Sequence, residues 1–203
     1  MSVMSQPRKF VAVDPSKCIG CGICEIACTV EKGEGICPIR SRIRVVHMTP
    51  VFNFALACRG CKDAKCVKAC PEKAISQAEA TGMIIVDETK CKGCDWCVQA
   101  CNHGGIVINA ETGKAYACDF CKGDPQCVKA CPEEALVIVD SDEAADKLFS
   151  NALANLPAQV EKLTAAVKTR DFKPYLAEAE KHSEKITEKL QMLNEKTSTK
   201  KCK

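Results

Sequence analysis

The chemistry in this 203-residue chain is carried by cysteine: of 18 cysteines, 16 fall into four groups of four. The first group is Cys18, Cys21, Cys24 and Cys28, and the second is Cys58, Cys61, Cys66 and Cys70. The third is Cys91, Cys94, Cys97 and Cys101, and the fourth is Cys118, Cys121, Cys127 and Cys131. Groups one and three read C-x2-C-x2-C-x3-C. Groups two and four widen the middle gap to x4 and x5, then keep x3-C followed by Pro71 or Pro132. Four soft thiolates per site suit iron, and this spacing is the ligand pattern of a cubane cluster. The sequence therefore predicts four [4Fe–4S] clusters, with all of these cysteines as ligands and no catalytic residue.

Two other uses of cysteine fit less well. Disulfide scaffolds with this cysteine density are short secreted chains, and the opening residues MSVMSQPRKF contain no apolar signal segment. Structural zinc sites use two cysteine pairs separated by a longer loop, not a compact run ending in x3-C. The expectation that follows is a reducing, anaerobic cytoplasm. Aromatic residues make up only 4% of the chain, poor provision for an apolar core, so folding and cluster insertion are expected to be coupled. The formal charge of +3 counts cysteines as neutral. Oxidised clusters with four thiolates carry about −2 each and make the loaded protein acidic, so the basic balance implies no nucleic-acid partner. No stretch approaches the ~18 apolar residues of a membrane span.

The elements that hold the groups come from an internal duplication. FVAVDPSKCIGCGICEIAC, from Phe10 to Cys28, is echoed by MIIVDETKCKGCDWCVQAC, from Met83 to Cys101. CRGCKDAKCVKACPEKAI, from Cys58 to Ile75, is echoed by CDFCKGDPQCVKACPEEAL, from Cys118 to Leu136. In a two-cluster ferredoxin the fourth cysteine of each run ligates the other cluster, and a hairpin joins the runs. PEKAISQAEATGMIIVDETK, between Cys70 and Cys91, supplies one, with a turn at Thr81–Gly82 and a β-branched strand Ile84–Val86. The segment from Thr29 to Ala57 offers no equally clean hairpin. VAVD before group one and ALVIVD after group four are left to pair with each other.

That reasoning predicts an α+β fold of two nested two-cluster modules plus an all-α C-terminal extension. Residues 8–51 with 111–140 form the outer module, 52–110 the inner one and 141–203 the extension. In the outer module Cys18, Cys21 and Cys24 share a cluster with Cys131, and Cys118, Cys121 and Cys127 share one with Cys28. In the inner module Cys58, Cys61 and Cys66 go with Cys101, and Cys91, Cys94 and Cys97 with Cys70.

From Phe10 to Asp140 the chain resembles the four-cluster iron–sulfur subunits of anaerobic oxidoreductase complexes. The resemblance implies an electron-transfer subunit without its own substrate site. It would serve a molybdenum or tungsten enzyme of the dimethyl-sulfoxide-reductase type, a formate- or hydrogen-linked complex (a hydrogenase), a carbon monoxide dehydrogenase or a tungsten aldehyde oxidoreductase. Some members replace one cysteine by tryptophan. Here Trp96 sits between Cys94 and Cys97 and replaces neither, so every cluster keeps four ligands. The family's Pro-x-Gly-Ala segment after a fourth cysteine is Asn102-His103-Gly104-Gly105 here.

After Asp140 the composition changes to Ala, Glu, Lys and Leu without glycine. Leu153, Leu156, Val160, Leu163 and Val167 recur at helical spacing, as do Leu176, Ala179, Ser183, Ile186, Leu190 and Leu193, with a break at Asp171–Pro174. Pro157 reads as a helix start or a kink. The result is a helical hairpin whose stripe is expected to dock a partner or a further copy of the chain. Truncation after Asp140 is expected to cost no cluster ligand and no module strand. Cys37 and Cys202 lie outside every group, the first read as a buried or silent thiol. His47, His103 and His182 are scattered, with only His103 close enough to a group to tune it. Lys62, Lys65, Lys68, Lys92 and Lys129 surround the motifs.

Overall fold

The computed structural model describes residues 8–49 and 51–197. Four two-stranded antiparallel sheets and six helices follow one another in it. β1 (Phe10–Val13) and β8 (Leu136–Val139) pair from the two ends of the ferredoxin-like region, Phe10 facing Val139 and Val13 facing Leu136. All four β1 residues are buried, so this sheet closes the region through its interior. β4 (Ile75–Gln77) and β5 (Ile84–Val86) form the hairpin between groups two and three, and Gly82 in its turn has φ of 71°.

Two further hairpins were not anticipated. β2 (Arg44–Thr49) pairs with β3 (Phe52–Leu56) inside the segment read as lacking a clean hairpin. The pairing is the longest in the molecule's described part, with a register shift between His47 and Thr49. Its inner strand FNFAL is nearly all buried, so tertiary burial selects it. β6 (Ile106–Ile108) pairs with β7 (Ala115–Ala117) between groups three and four. These two hairpins span the points between residues 51 and 52 and between 110 and 111.

Short helices carry the third cysteine of each group, and in group one the fourth as well: α1 (Ile23–Glu31), α2 (Lys65–Lys68), α3 (Trp96–Gln99) and α4 (Gln126–Ala130). α1 packs on α4, and α2 on α3.

The C-terminal extension is two long helices, α5 (Asp142–Thr169) and α6 (Lys173–Glu195). Ser141 caps α5 by accepting from the Ala144 amide at 3.3 Å, and Asp142 and Glu143 complement the helix dipole. The helix has therefore run for four turns before Pro157, which lies inside it and starts nothing. Left-handed Arg170 (φ 55°) ends α5, and Pro174 sits in the first turn of α6.

The extension is not free of the core. Ala145, Leu148, Phe149, Ala152 and Leu156 pack against the main core. Phe149 meets Phe52 and Phe54 edge-on, with centroids 5.6 and 5.2 Å apart. Arg8 pairs with Asp142, and Arg59 with Asp146 at 3.0 Å. The far end of α6 returns to α1 and α4, where Leu193, Leu190 and Ile186 cover Ile23, Ala27 and Ala130. What remains exposed is the middle of the stripe: Leu153, Val160 and Val167 on α5 and Leu176 on α6.

Candidate iron–sulfur centres

Each group is a loop that leads into a helical turn. In group one, Cys18 and Cys21 lie on a loop turned by left-handed Gly20 and Gly22 (φ 75° and 74°), and Cys24 and Cys28 lie on α1. Group three repeats this with Gly93 and Asp95 left-handed (φ 69° and 63°) before α3. In group four, Phe120, Cys121 and Lys122 all have positive φ in a tight turn, followed by Cys127 on α4. In each loop the backbone curls round a common point, so the cysteine side chains converge.

The convergence crosses between groups. A cavity of about 250 Å³ is lined by Cys58, Cys61, Cys66 and Cys101. A narrower one is lined by Cys18, Cys21, Cys24 and Cys131, and another by Cys91, Cys94, Cys97 and Cys70. Cys28 lies among Cys118, Cys121 and Cys127, whose thiols all feel its charge. The sites adjoin in a row. Cys24 of the first site interacts with Cys127 of the next, and Cys118 there interacts with Cys58 of group two.

Burial dominates the electrostatics. It pushes the Cys58 and Cys97 thiols up to about 11 and Cys118 up to about 12. Cys24 and Cys127 are raised by burial and then by neighbouring cysteines. Thiolates gathered in such places need a bound cation to stay charged. Backbone amides supply part of the compensation. Gly60, Ala74, Gly105, Phe120 and Ala135 donate to the sulfurs of Cys58, Cys70, Cys101, Cys118 and Cys131 at 3.3–3.5 Å. The Arg42 and Ala115 amides donate to Cys28 and Cys91 at 3.4 Å.

The donor geometry also separates kinds of metal group. Among the described residues no three His, Cys, Asp or Glu side chains come close enough to hold one metal ion. A single tetrahedral zinc draws four sulfurs to about 2.3 Å from one point. Four cysteines spread round a cavity fit the wider multi-iron cube.

The other residues singled out from the sequence fall at the edges. Lys68 pairs with Asp63 and Lys129 with Asp124, bridging the widened gaps of groups two and four. Lys62, Lys65 and Lys92 are exposed. His103 lines the cavity of the group-two cysteines, and burial followed by Arg59 lowers its pKa. His47 bonds Asn53 at 2.9 Å and lies against Gly20, while His182 bonds Glu133 at 2.9 Å. Cys37 is fully buried but disulfide-bonded, not a thiol. Cys202 lies outside the described residues. Sequence reasoning missed Glu133 and the amide donors: the first acts through a residue far along the chain, the second through backbone.

Sulfur-lined cages, curled loops and amide-to-sulfur bonds define the class, a ferredoxin-type iron–sulfur protein. Residues 49–141 match a family model described as a 4Fe-4S dicluster domain, and residues 10–32 match a 4Fe-4S binding domain. The chain is 42% identical over 125 residues to the polyferredoxin-like subunit of aliphatic sulfonate oxidoreductase from Pyrococcus furiosus, covering 62% of this chain and 72% of that one. It is 34% identical over 183 residues to the electron transport protein HydN of Escherichia coli, covering 78% and 98%. To the thiosulfate reductase electron transfer subunit PhsB of Salmonella typhi it is 36% identical over 115 residues, covering 53% and 59%. The chain belongs to the 4Fe-4S dicluster family of electron-transfer subunits of oxidoreductase complexes, and it carries [4Fe–4S] clusters and electrons in place of substrate chemistry. Among the described residues no helix is long and apolar enough to cross a membrane.

Proposed function

We propose that the chain holds four [4Fe–4S] clusters in two nested modules, residues 8–51 with 111–140 outside and 52–110 inside. The outer ligand sets are Cys18, Cys21, Cys24 with Cys131, and Cys118, Cys121, Cys127 with Cys28. The inner sets are Cys58, Cys61, Cys66 with Cys101, and Cys91, Cys94, Cys97 with Cys70. The observation that carries this reading is the cavity that three cysteines of one run share with the fourth of another. The clusters supply one-electron redox chemistry. The protein's part is burial, amide donation to sulfur, and spacing that keeps neighbouring sites within electron-transfer reach.

The partner in this reading is the catalytic subunit of an anaerobic cytoplasmic oxidoreductase: a molybdenum or tungsten enzyme, a hydrogenase or a carbon monoxide dehydrogenase. The relatives named for sulfonate oxidoreductase and thiosulfate reductase support a complex of that kind. Iron and sulfide analysis of anaerobically prepared protein tests the count: about sixteen of each per chain are expected from four cubanes. Stoichiometric zinc, or a folded colourless chain, overturns it. The exposed stripe of Leu153, Val160 and Val167 supports a second contact, with a further copy of the chain. Val160→Asp should then lower the sedimenting mass, and an unchanged mass rejects that contact.

A further inference from the structure

The duplication puts equivalent faces at the two ends of the row of sites, and only one of them is covered. In the first repeat, left-handed Gly22 is followed by Ile23, in the second, left-handed Asp95 by Trp96. Ala27 corresponds in the same way to Ala100, and Ala130 to Ala69. At the group-one end α6 lies over this face: Ile23 is 1%, Ala27 1% and Ala130 8% exposed beneath Leu193, with Leu190 and Ile186 alongside. At the group-three end no helix among the described residues lies over it. Trp96 is 57% exposed, and Ala69 and Ala100 are half-buried. Cys94, which corresponds to half-buried Cys21, is the one exposed cysteine among the sixteen of the four groups.

The polar groups repeat the contrast. Glu133, two residues after Cys131, receives hydrogen bonds from His182 at 2.9 Å and Lys185 at 3.0 Å, both on α6. Its counterpart Glu72, two residues after Cys70, is exposed and forms no ion pair among the described residues, although Lys92 lines the same cavity.

We propose that a helix of the redox partner docks on the face formed by Trp96, Ala100 and Ala69, as α6 docks on Ile23, Ala27 and Ala130. α6 shows the chemistry such a helix needs: apolar side chains at i, i+4 and i+7 (Ile186, Leu190, Leu193) and a basic residue about one turn earlier for the glutamate. The occupant is a redox protein because the face surrounds a cluster ligand at solvent, where an incoming cofactor comes nearest to the row of sites. A single exposed tryptophan beside small residues is the composition of an interface anchor. This assignment rests on the electron-transfer reading above and adds to it the end of the row at which electrons are exchanged.

The test uses the full-length, cluster-loaded chain expressed in its own host with its complex. Trp96→Ala and Glu72→Lys should each reduce recovery of the co-purifying catalytic chain about tenfold, the loss typical of an anchor residue, with iron content and low-temperature EPR unchanged. A photoreactive azidophenylalanine at position 96 should cross-link to a helix of a cofactor-bearing chain, whereas one at position 17, beside Cys18, should not. Full recovery of the partner with both variants overturns the docking face, as does a cross-link from position 17 alone or from position 96 onto a second copy of this chain. If Trp96→Ala loses iron, Glu72→Lys and the cross-link decide. A wild-type chain that lacks iron or does not reduce methyl viologen reversibly instead overturns the electron-transfer reading itself.

Discussion

The ring of Phe149, on α5, stands edge-on to that of Phe54, on β3, with centroids 5.2 Å apart and planes 80° to each other. Aromatic area is scarce in this chain, so the contact joins the C-terminal extension to the core where few substitutes exist. The same ring also meets Phe52 at 86°. Phe149→Ala should lower stability by about 2 kcal/mol, below the ~3–5 kcal/mol of a fully buried phenylalanine because the ring is only partly buried. Denaturation of the loaded protein measures this. Truncation after Asp140, expected from sequence to remove no cluster ligand and no module strand, should cost more, because Leu148, Ala152 and Leu156 go with it.

Cys131 lines the cavity of Cys18, Cys21 and Cys24 and accepts a hydrogen bond from the Ala135 amide at 3.3 Å. Cys131→Ala should lower iron by about four per chain, one cubane of the kind these ligands hold. Mössbauer spectroscopy should show the inner sites still loaded. Loss at the site of Cys91, Cys94 and Cys97 would reject the nested ligand sets.

Gly105 has no room for a side chain. A Cβ there would lie 2.5 Å from Cys58 Cα and 2.8 Å from the Ala57 carbonyl oxygen. Its amide also donates to Cys101 Sγ at 3.3 Å. Gly105→Ala should cost about 1–3 kcal/mol as an overpacked site. By pushing the backbone away from Cys58 the new Cβ should also draw the retained amide off Cys101 Sγ and shift the potential of the cluster nearest Cys101 downward, because an amide donor stabilises the reduced, more negative form. Redox titration followed by EPR checks the sign.

Burial alone would raise the Glu133 carboxyl, but hydrogen bonds from His182 and Lys185 outweigh it and hold it below its ordinary value of 4.5. A folded-state value below the unfolded one means the stabilisation is present above pH 4.5. It is lost as pH falls through the lower folded value. Protection of the α6 amides, taken as the intrinsic exchange rate at each pH over the observed one, should therefore fall in acid. Glu133→Gln should show lower protection at neutral pH and little further loss on acidification, and equal acid sensitivity in the variant would reject this role.

The sequence by itself determined the four cysteine groups and their spacing. Ligand spacing is short-range: x2 gaps, a left-handed glycine or aspartate and the following helical turn fix where three sulfurs point, whatever the rest of the chain does. The duplication and the β-branched strand Ile84–Val86 were legible for the same reason, and VAVD and ALVIVD showed as strands left without local partners. The β2–β3 hairpin was not legible. Arg44–Thr49 is followed by Pro50, a turn marker without the Asn-Gly or Gly-x signature of a two-residue hairpin, and the pairing forms because FNFAL is buried against Phe149 from far along the chain. The helical periodicity of the extension was readable, but not which of its residues the core would claim. Only the folded chain put Leu193 over Ile23 and left Trp96, the same position in the other repeat, at the surface. Periodicity records that a helix has an apolar face, and what covers that face depends on contacts more than a hundred residues apart, which no local pattern encodes.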